Sequence, residues 1–141
     1  MFFLTLCKRK KAEGTLPVDV ESKINYSEQT DIKNYIIWDI IGYLEANFRK
    51  KLSLGFVAEE HYVSASYLSR LFEKETNMNF VEYLTMIRID YAKKMLQTSQ
   101  LKIYEIASLS GFTDVNYFTK VFKRVIGSTP LEYRNNCGYF D

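Results

Sequence analysis

The sequence predicts an all-α fold, and three observations carry that expectation. Apolar residues recur at three- and four-residue intervals over most of the chain, the period of a helix with one buried face. One segment of about 33 residues occurs twice. The periodic segments begin at Ser, Thr or Asn and end near Asn or Gly, residue types that start and stop helices.

The chain begins with a stretch that has no such period. Residues 1–30 read as a tail or linker, or as the remnant of a larger protein: Gly14 and Pro17 interrupt a polar run, and Lys8-Arg9-Lys10-Lys11 follows a short apolar start. A secretory signal has the opposite order of charge and apolar residues. The basic cluster 8–11 is read first as a solvated tail. From about Asp31 to Asn47, Ile32, Ile36, Ile40, Tyr43 and Leu44 mark the stripe of a leading amphipathic helix.

The repeat follows. Leu52–Leu84 aligns with Leu101–Arg134, with one inserted residue in the second copy. Leu52 matches Leu101, Ala58 matches Ala107, Tyr67 matches Tyr117, Phe72 matches Phe122, and Glu82-Tyr83 matches Glu132-Tyr133. Each copy reads as two short helices joined by a tight turn. In the first, Leu54, Val57 and Ala58 form an apolar face ending near His61; Ser64 caps a second helix that buries Leu68, Leu71 and Phe72. In the second, Ile103, Ile106 and Ala107 precede Gly111 at the turn, Thr113 is the expected cap, and Phe118, Val121 and Phe122 are the buried face. The first copy has Tyr62 where the second has Gly111, so its turn is expected to form without glycine's freedom.

Between the copies, from about Phe80 to Thr98, Phe80, Leu84, Ile87, Tyr91 and Met95 share a face that Ala92 and Leu96 widen. This helix contains no Gly or Pro, would run roughly 28 Å, and is expected to act as a stiff spacer. Asn79 with Glu82 and Thr129 with Glu132 read as reciprocal caps, with Pro130 at a first helical position. Asn77 and Gly127 stand where a left-handed residue ends the preceding helix. The expected division is a tail over 1–30 and one domain over 31–141. Within it, unit one covers about 31–79, the linker helix about 80–98 and unit two about 101–135.

Composition narrows the function. The 141 residues are 47% hydrophobic and 26% charged, a globular balance. Nineteen Lys and Arg oppose 17 Asp and Glu, so the net charge of +2 does not by itself imply nucleic acid. Two cysteines, Cys7 and Cys137, and one histidine, His61, cannot supply the four ligands of a structural zinc site. Such sparse cysteine suits a reducing, cytoplasmic setting, although a Cys7–Cys137 bridge fits the sequence too. No apolar run approaches the roughly 18 residues of a membrane span.

Ser66–Thr76, Tyr83-Leu84, Ile87-Arg88-Ile89 with Ala92, Lys102–Ala107, Gly111-Phe112 and Tyr117-Phe118 resemble the DNA-binding domain of the AraC/XylS family of bacterial regulators. Phe122-Lys123, Gly127, Thr129-Pro130 and Glu132-Tyr133-Arg134 resemble its closing signature. The match runs from about Ile32 to Arg134. The resemblance implies an all-α domain of about seven helices, in which two helix-turn-helix subdomains, homeodomain-like three-helix units, are joined by a long linker helix. It also implies two recognition helices, about 64–76 and 113–125, in adjacent major grooves of duplex DNA. No cofactor is implied in this domain. RNA polymerase is the partner implied in activation, the mode the resemblance points to, and repression is compatible as well. Full-length relatives often add a sensor, receiver or dimerisation domain. About 30 residues before the first helix leave no room for one, so the chain is expected to be a stand-alone regulator or a fragment.

The outer faces agree with that role. Burying the apolar residues of each second helix leaves Ser66, Ser69 and Arg70 outside on one, and Val115, Asn116, Thr119 and Lys120 outside on the other. The repeat aligns Ser66 with Asn116, Ser69 with Thr119 and Arg70 with Lys120. Arg pairs with guanine and Asn with adenine through two hydrogen bonds, while Val and the Thr methyl suit a thymine methyl. Ser64 and Thr113, near helix starts, are candidates for phosphate contact, as are Lys102, Lys123, Arg124 and Arg134. Arg88 is expected to pair with a nearby carboxylate. Tyr67, Tyr83, Tyr117 and Tyr133 are read as packing residues, and His61 as a cap or core contact. Two unlike half-sites roughly 34 Å apart make an asymmetric target. An enzyme is not expected: paired carboxylates in a catalytic frame, a phosphate-cradling glycine loop and a metal cluster are all missing from the sequence. A protein-interaction module would carry acids on both outer faces, where only Glu73 and Asp114 stand.

Overall fold

Helices alone make up the regular structure of the described residues, 26–138, in the computed structural model. The expectations on the basic cluster 8–11 and on a Cys7–Cys137 bridge lie outside them. There are seven: α1 (Tyr26–Asn47), α2 (Leu54–Glu60), α3 (Ala65–Thr76), α4 (Phe80–Thr98), α5 (Ile103–Leu109), α6 (Val115–Ile126) and α7 (Pro130–Asn136). The described chain forms two compact units, one from residues 26–46 and 52–82, the other from 47–51 and 83–138.

In unit one, α1 starts at Tyr26, more than a turn before the expected Asp31, and its buried face is rotated from the expected one. Ile37, Ile40, Ile41 and Leu44 are buried, whereas Ile32 is 46% exposed. The expected stripe used strict four-residue steps, and each such step advances roughly 40° round a helix of 3.6 residues per turn. Over three steps Ile32 leaves the face that Leu44 occupies. The mixed spacing of 37, 40, 41 and 44 stays on it.

The helix pair α2–α3 follows the sequence closely. The Ser53 hydroxyl accepts from the Phe56 amide at 3.2 Å, and Val57 and Ala58 are buried. Ser64 caps α3 as expected, accepting from the Tyr67 amide at 3.1 Å. Leu68, Leu71 and Phe72 are buried behind it. Asn77 ends the helix at φ 57°. Its buried neighbour Thr76 donates its hydroxyl to the Phe72 carbonyl at 2.6 Å, so that this buried hydroxyl is satisfied. Asn79 and Glu82 then open α4 reciprocally, with bonds of 2.9 and 3.0 Å.

Unit two has a core of Ile89, Ala92, Leu96, Ile106, Ala107, Phe112, Phe118, Val121 and Phe122. At the start of α5 only one arm of a capping box exists. The Glu105 carboxylate accepts from the Lys102 amide at 2.8 Å, and an ammonium has no lone pair to return the bond. The cap of α6 differs from the expected one. Asp114, not Thr113, accepts from the Asn116 and Tyr117 amides, at 2.7 and 3.1 Å. A carboxylate makes charge-assisted bonds there and complements the positive end of the helix, so it outcompetes a neighbouring hydroxyl. Gly127 ends α6 at φ 96°. Thr129 and Glu132 cap α7 reciprocally, with Pro130 at its start, as expected.

Candidate nucleic-acid interface

The candidate residues sit on α3 in unit one and on α6 in unit two. On α3, Ser66 and Arg70 are exposed and Ser69 half-buried. The three, with Leu54 and Ala65, line an open recess of about 580 Å³. On α6, Val115, Asn116 and Lys120 are exposed. Thr119 is half-buried, and its hydroxyl donates to the Val115 carbonyl at 2.9 Å, which leaves its methyl as the group free of hydrogen bonding. The unlike charge of the two units is also local. Glu73 shares the exposed side of α3 with Arg70, and Lys74 alone is basic in its last turn, whereas α6 has both Lys123 and Arg124 there. That position favours cations through the helix dipole whatever they touch.

The remaining candidates fall into two groups. Ser64, Lys102 and Thr113 are exposed beside the starts of α3, α5 and α6. The hydroxyl oxygen of Ser64 accepts its cap bond and leaves the hydroxyl proton as a donor. At α6 the Asp114 carboxylate holds two of the leading amides, so the expected row of free N–H groups is partly filled. Arg134 is drawn away from the surface role: its guanidinium reaches the Leu96 and Ser99 carbonyls at 3.4 Å, at the end of α4. There it meets the Leu96 carbonyl in the last turn of α4, where carbonyls lack partners within the helix, and the Ser99 carbonyl just past its end.

Among the described residues Arg88 pairs with no carboxylate, contrary to expectation. Its Nε donates to the Phe48 carbonyl and its Nη2 to the Lys50 carbonyl, each at 2.9 Å, and it lies 6.0 Å from the centre of the Phe112 ring. Burial lowers its pKa from the ordinary guanidinium value. The group keeps its proton, since arginine is not deprotonated in proteins, and meets its desolvation through these carbonyl bonds. Gly111 belongs to the same arrangement. Its φ is 93°, and a Cβ there would stand 2.7 Å from the Phe48 carbonyl oxygen and 2.9 Å from Arg88 Nε.

Of the tyrosines, Tyr83 is fully buried, Tyr67 and Tyr133 half-buried, and Tyr117 is 58% exposed, its ring tilted 55° to that of Phe112. Tyr117 is therefore less a packing residue than its repeat partner suggested. Tyr133 accepts a 2.6 Å bond from Gln97, and burial raises its pKa from the ordinary phenol value. His61 is the cap and core contact expected. Its Nδ1 donates to the Val57 carbonyl at 2.9 Å and its ring meets Tyr43 edge-on at 5.1 Å. Sequence reasoning missed Arg49, whose guanidinium donates to the Tyr91 hydroxyl at 2.8 Å; the run Arg49-Lys50-Lys51 was the available signal.

Comparison with known proteins decides the family. A model described as a helix-turn-helix domain matches residues 57–136, more than half of the chain. The activator AarP of Providencia stuartii is 35% identical over 120 residues, covering 84% of this chain and 89% of AarP. The chain belongs to the AraC/XylS family of transcription regulators. Another relative, the uncharacterised HTH-type transcriptional regulator YijO of Escherichia coli K12, is 36% identical over 107 residues. That alignment covers 75% of this chain and only 38% of YijO. Among solved structures, the C-terminal domain of AraT, a response regulator from Geobacillus stearothermophilus, superposes with a TM-score of 0.70 at 35% identity, covering 72% of this chain and 84% of that one. No helix among the described residues is long and apolar enough to cross a membrane.

Proposed function

We propose that this chain regulates transcription by reading one asymmetric duplex site with two recognition helices, α3 and α6, in adjacent major grooves. The observation that carries the reading is the equivalence of the two outer faces. Ser66, Ser69 and Arg70 on one helix stand at the repeat positions of Asn116, Thr119 and Lys120 on the other, and Arg70, Asn116 and Lys120 are all exposed. Arg70 is suited to guanine O6 and N7, and Asn116 to adenine, each through two hydrogen bonds. Val115 and the Thr119 methyl supply apolar contact for thymine. Lys102, Thr113, Lys123 and Arg124 bind phosphates and fix register without reading sequence. Ser64 accepts the Tyr67 amide and keeps its hydroxyl proton to donate to a phosphate, while Arg134 contributes less, its guanidinium being drawn to the Leu96 and Ser99 carbonyls. The family suggests contact with RNA polymerase when the protein activates. The chemistry is recognition, with no bond made or broken.

Selection from a random duplex library tests this. The expected product is an asymmetric site of about two helical turns. Arg70→Ala then relaxes preference in one half and Lys120→Ala in the other, each by about 1–3 kcal/mol. Weak binding, equally salt-sensitive on every sequence, would remove specific recognition from this chain.

A further inference from the structure

Arg49 lies in the connection between α1 and α2, yet it stands beside the second helix-turn-helix unit. Two features of unit two hold residues 47–51 there. Arg88 binds the Phe48 and Lys50 carbonyls at 2.9 Å. Gly111, lacking a side chain, lets the segment come close: a Cβ would lie 3.3 Å from the Arg49 Cα. The Arg49 side chain is then fixed in its own right. Its Nη2 donates to the Tyr91 hydroxyl at 2.8 Å, and its guanidinium carbon lies 4.8 Å from the Tyr91 ring centre. Stacking and hydrogen bonding have already removed much of the rotamer freedom that a ligand contact would otherwise cost.

The charge so positioned is exposed, and no carboxylate among the described residues pairs with it. Arg49 lines a cleft of about 530 Å³ with Tyr104, Ser108, Gly111, Thr113 and Val115. Thr113 and Val115 stand at the start of α6, so the cleft borders the end of the second recognition helix. At that end Asp114 holds the Asn116 and Tyr117 amides, which a phosphate would otherwise use. An anion beside α6 is thus better met by a separate, pre-oriented guanidinium than by the helix end.

We infer that Arg49 is a DNA-backbone contact of the second unit, its guanidinium binding one phosphate that flanks the groove read by α6. This rests on the proposed function and adds to it a residue from outside both helix pairs. Arg49 supplies affinity and register; base choice stays with Val115, Asn116, Thr119 and Lys120.

The test measures binding of the full chain, Arg49→Ala and Arg49→Lys to the selected duplex over a salt series. It is repeated on duplexes carrying one neutral methylphosphonate at successive positions. Arg49→Ala is expected to bind roughly tenfold more weakly, with a log–log salt slope smaller by about 0.9 and base preference unchanged in both halves. One methylphosphonate beside the α6 half-site should weaken the parent chain and leave Arg49→Ala unaffected. Arg49→Lys should keep the slope and lose part of the affinity, and matched circular-dichroism melts establish that each variant is folded. If the parent selects its site but Arg49→Ala keeps both the slope and the methylphosphonate profile, Arg49 is no phosphate ligand. A parent chain that selects no site overturns the proposed function, and this inference with it. Inorganic phosphate bound in the cleft with no change in DNA slope would give the cleft to a free anion and also overturn it.

Discussion

The turn between α2 and α3 and the turn between α5 and α6 have the same backbone and opposite surroundings. In the first, the Tyr62 amide donates to the Glu59 carbonyl at 3.1 Å and the Val63 amide to the Ala58 carbonyl at 3.0 Å. In the second, the Gly111 amide donates to Ser108 at 3.1 Å and the Phe112 amide to Ala107 at 3.0 Å. These bonds require a left-handed residue, and both turns have one: φ is 57° at Tyr62 and 93° at Gly111. The first turn is thus built without glycine, as the sequence requires, and a tyrosine takes the left-handed conformation there. Hydrogen bonds that close a helix end outweigh the roughly 1–2 kcal/mol that a side chain costs in this region. What distinguishes the turns is space. Tyr62 is 96% exposed, whereas at Gly111 the Phe48 carbonyl leaves no room for a Cβ. Glycine at the first turn would be a convenience; at the second it is a steric requirement.

The sharpest break of this comparison is a pair of substitutions. Gly111→Ala should destabilise by about 2–4 kcal/mol, combining left-handed strain with a clash against backbone. Tyr62→Gly should stabilise by up to about 1 kcal/mol, since only strain is relieved. Denaturant midpoints of both variants measure this, and equal effects of one sign would mean that the turns do not differ as described. A smaller effect sharpens the comparison of caps. Ser64→Ala and Asp114→Ala should each cost about 1 kcal/mol, while Thr113→Ala should cost almost nothing. A large loss at Thr113 in thermal melts would restore it as the cap of α6. The weakest effect concerns Glu132 in α7. The Thr129 amide is the chief cause of its carboxyl pKa lying below the ordinary value. A depressed folded-state pKa contributes stability above the unfolded value near 4.3, lost as pH falls through the lower folded value. Melting temperature of Glu132→Gln should accordingly vary less with pH between about 5 and 3 than that of the parent, and identical profiles would remove the effect.

Local signals were legible. The duplication, the Ser64 cap, the Pro130 start and the left-handed ends at Asn77 and Gly127 depend on a few neighbouring residues, and the structure has each of them. So were the outer faces of α3 and α6, because burying Leu68, Leu71 and Phe72, or Phe118, Val121 and Phe122, leaves only one set of side chains outside. Competition and distance were not legible. Thr113 and Asp114 are adjacent cap-formers, and only the folded chain decides between them. The α1 stripe drifted because several spacings of the apolar residues 32–44 are compatible with a helix. Arg88 and Arg49 were obscure for another reason: their partners lie about 40 residues away, Phe48 and Lys50 for one and Tyr91 for the other.

Residues 47–51 belong to unit two, while the chain on both sides of them belongs to unit one. The polypeptide therefore visits the second unit and leaves it before returning for good, so the two units are interleaved along the sequence. A single cut cannot divide them into two intact pieces. A fragment beginning at residue 83 would carry Arg88 and Gly111 with nothing for either to receive. The duplicated halves are alike in pattern and unequal in autonomy: the later copy borrows five residues from the stretch that precedes the earlier one.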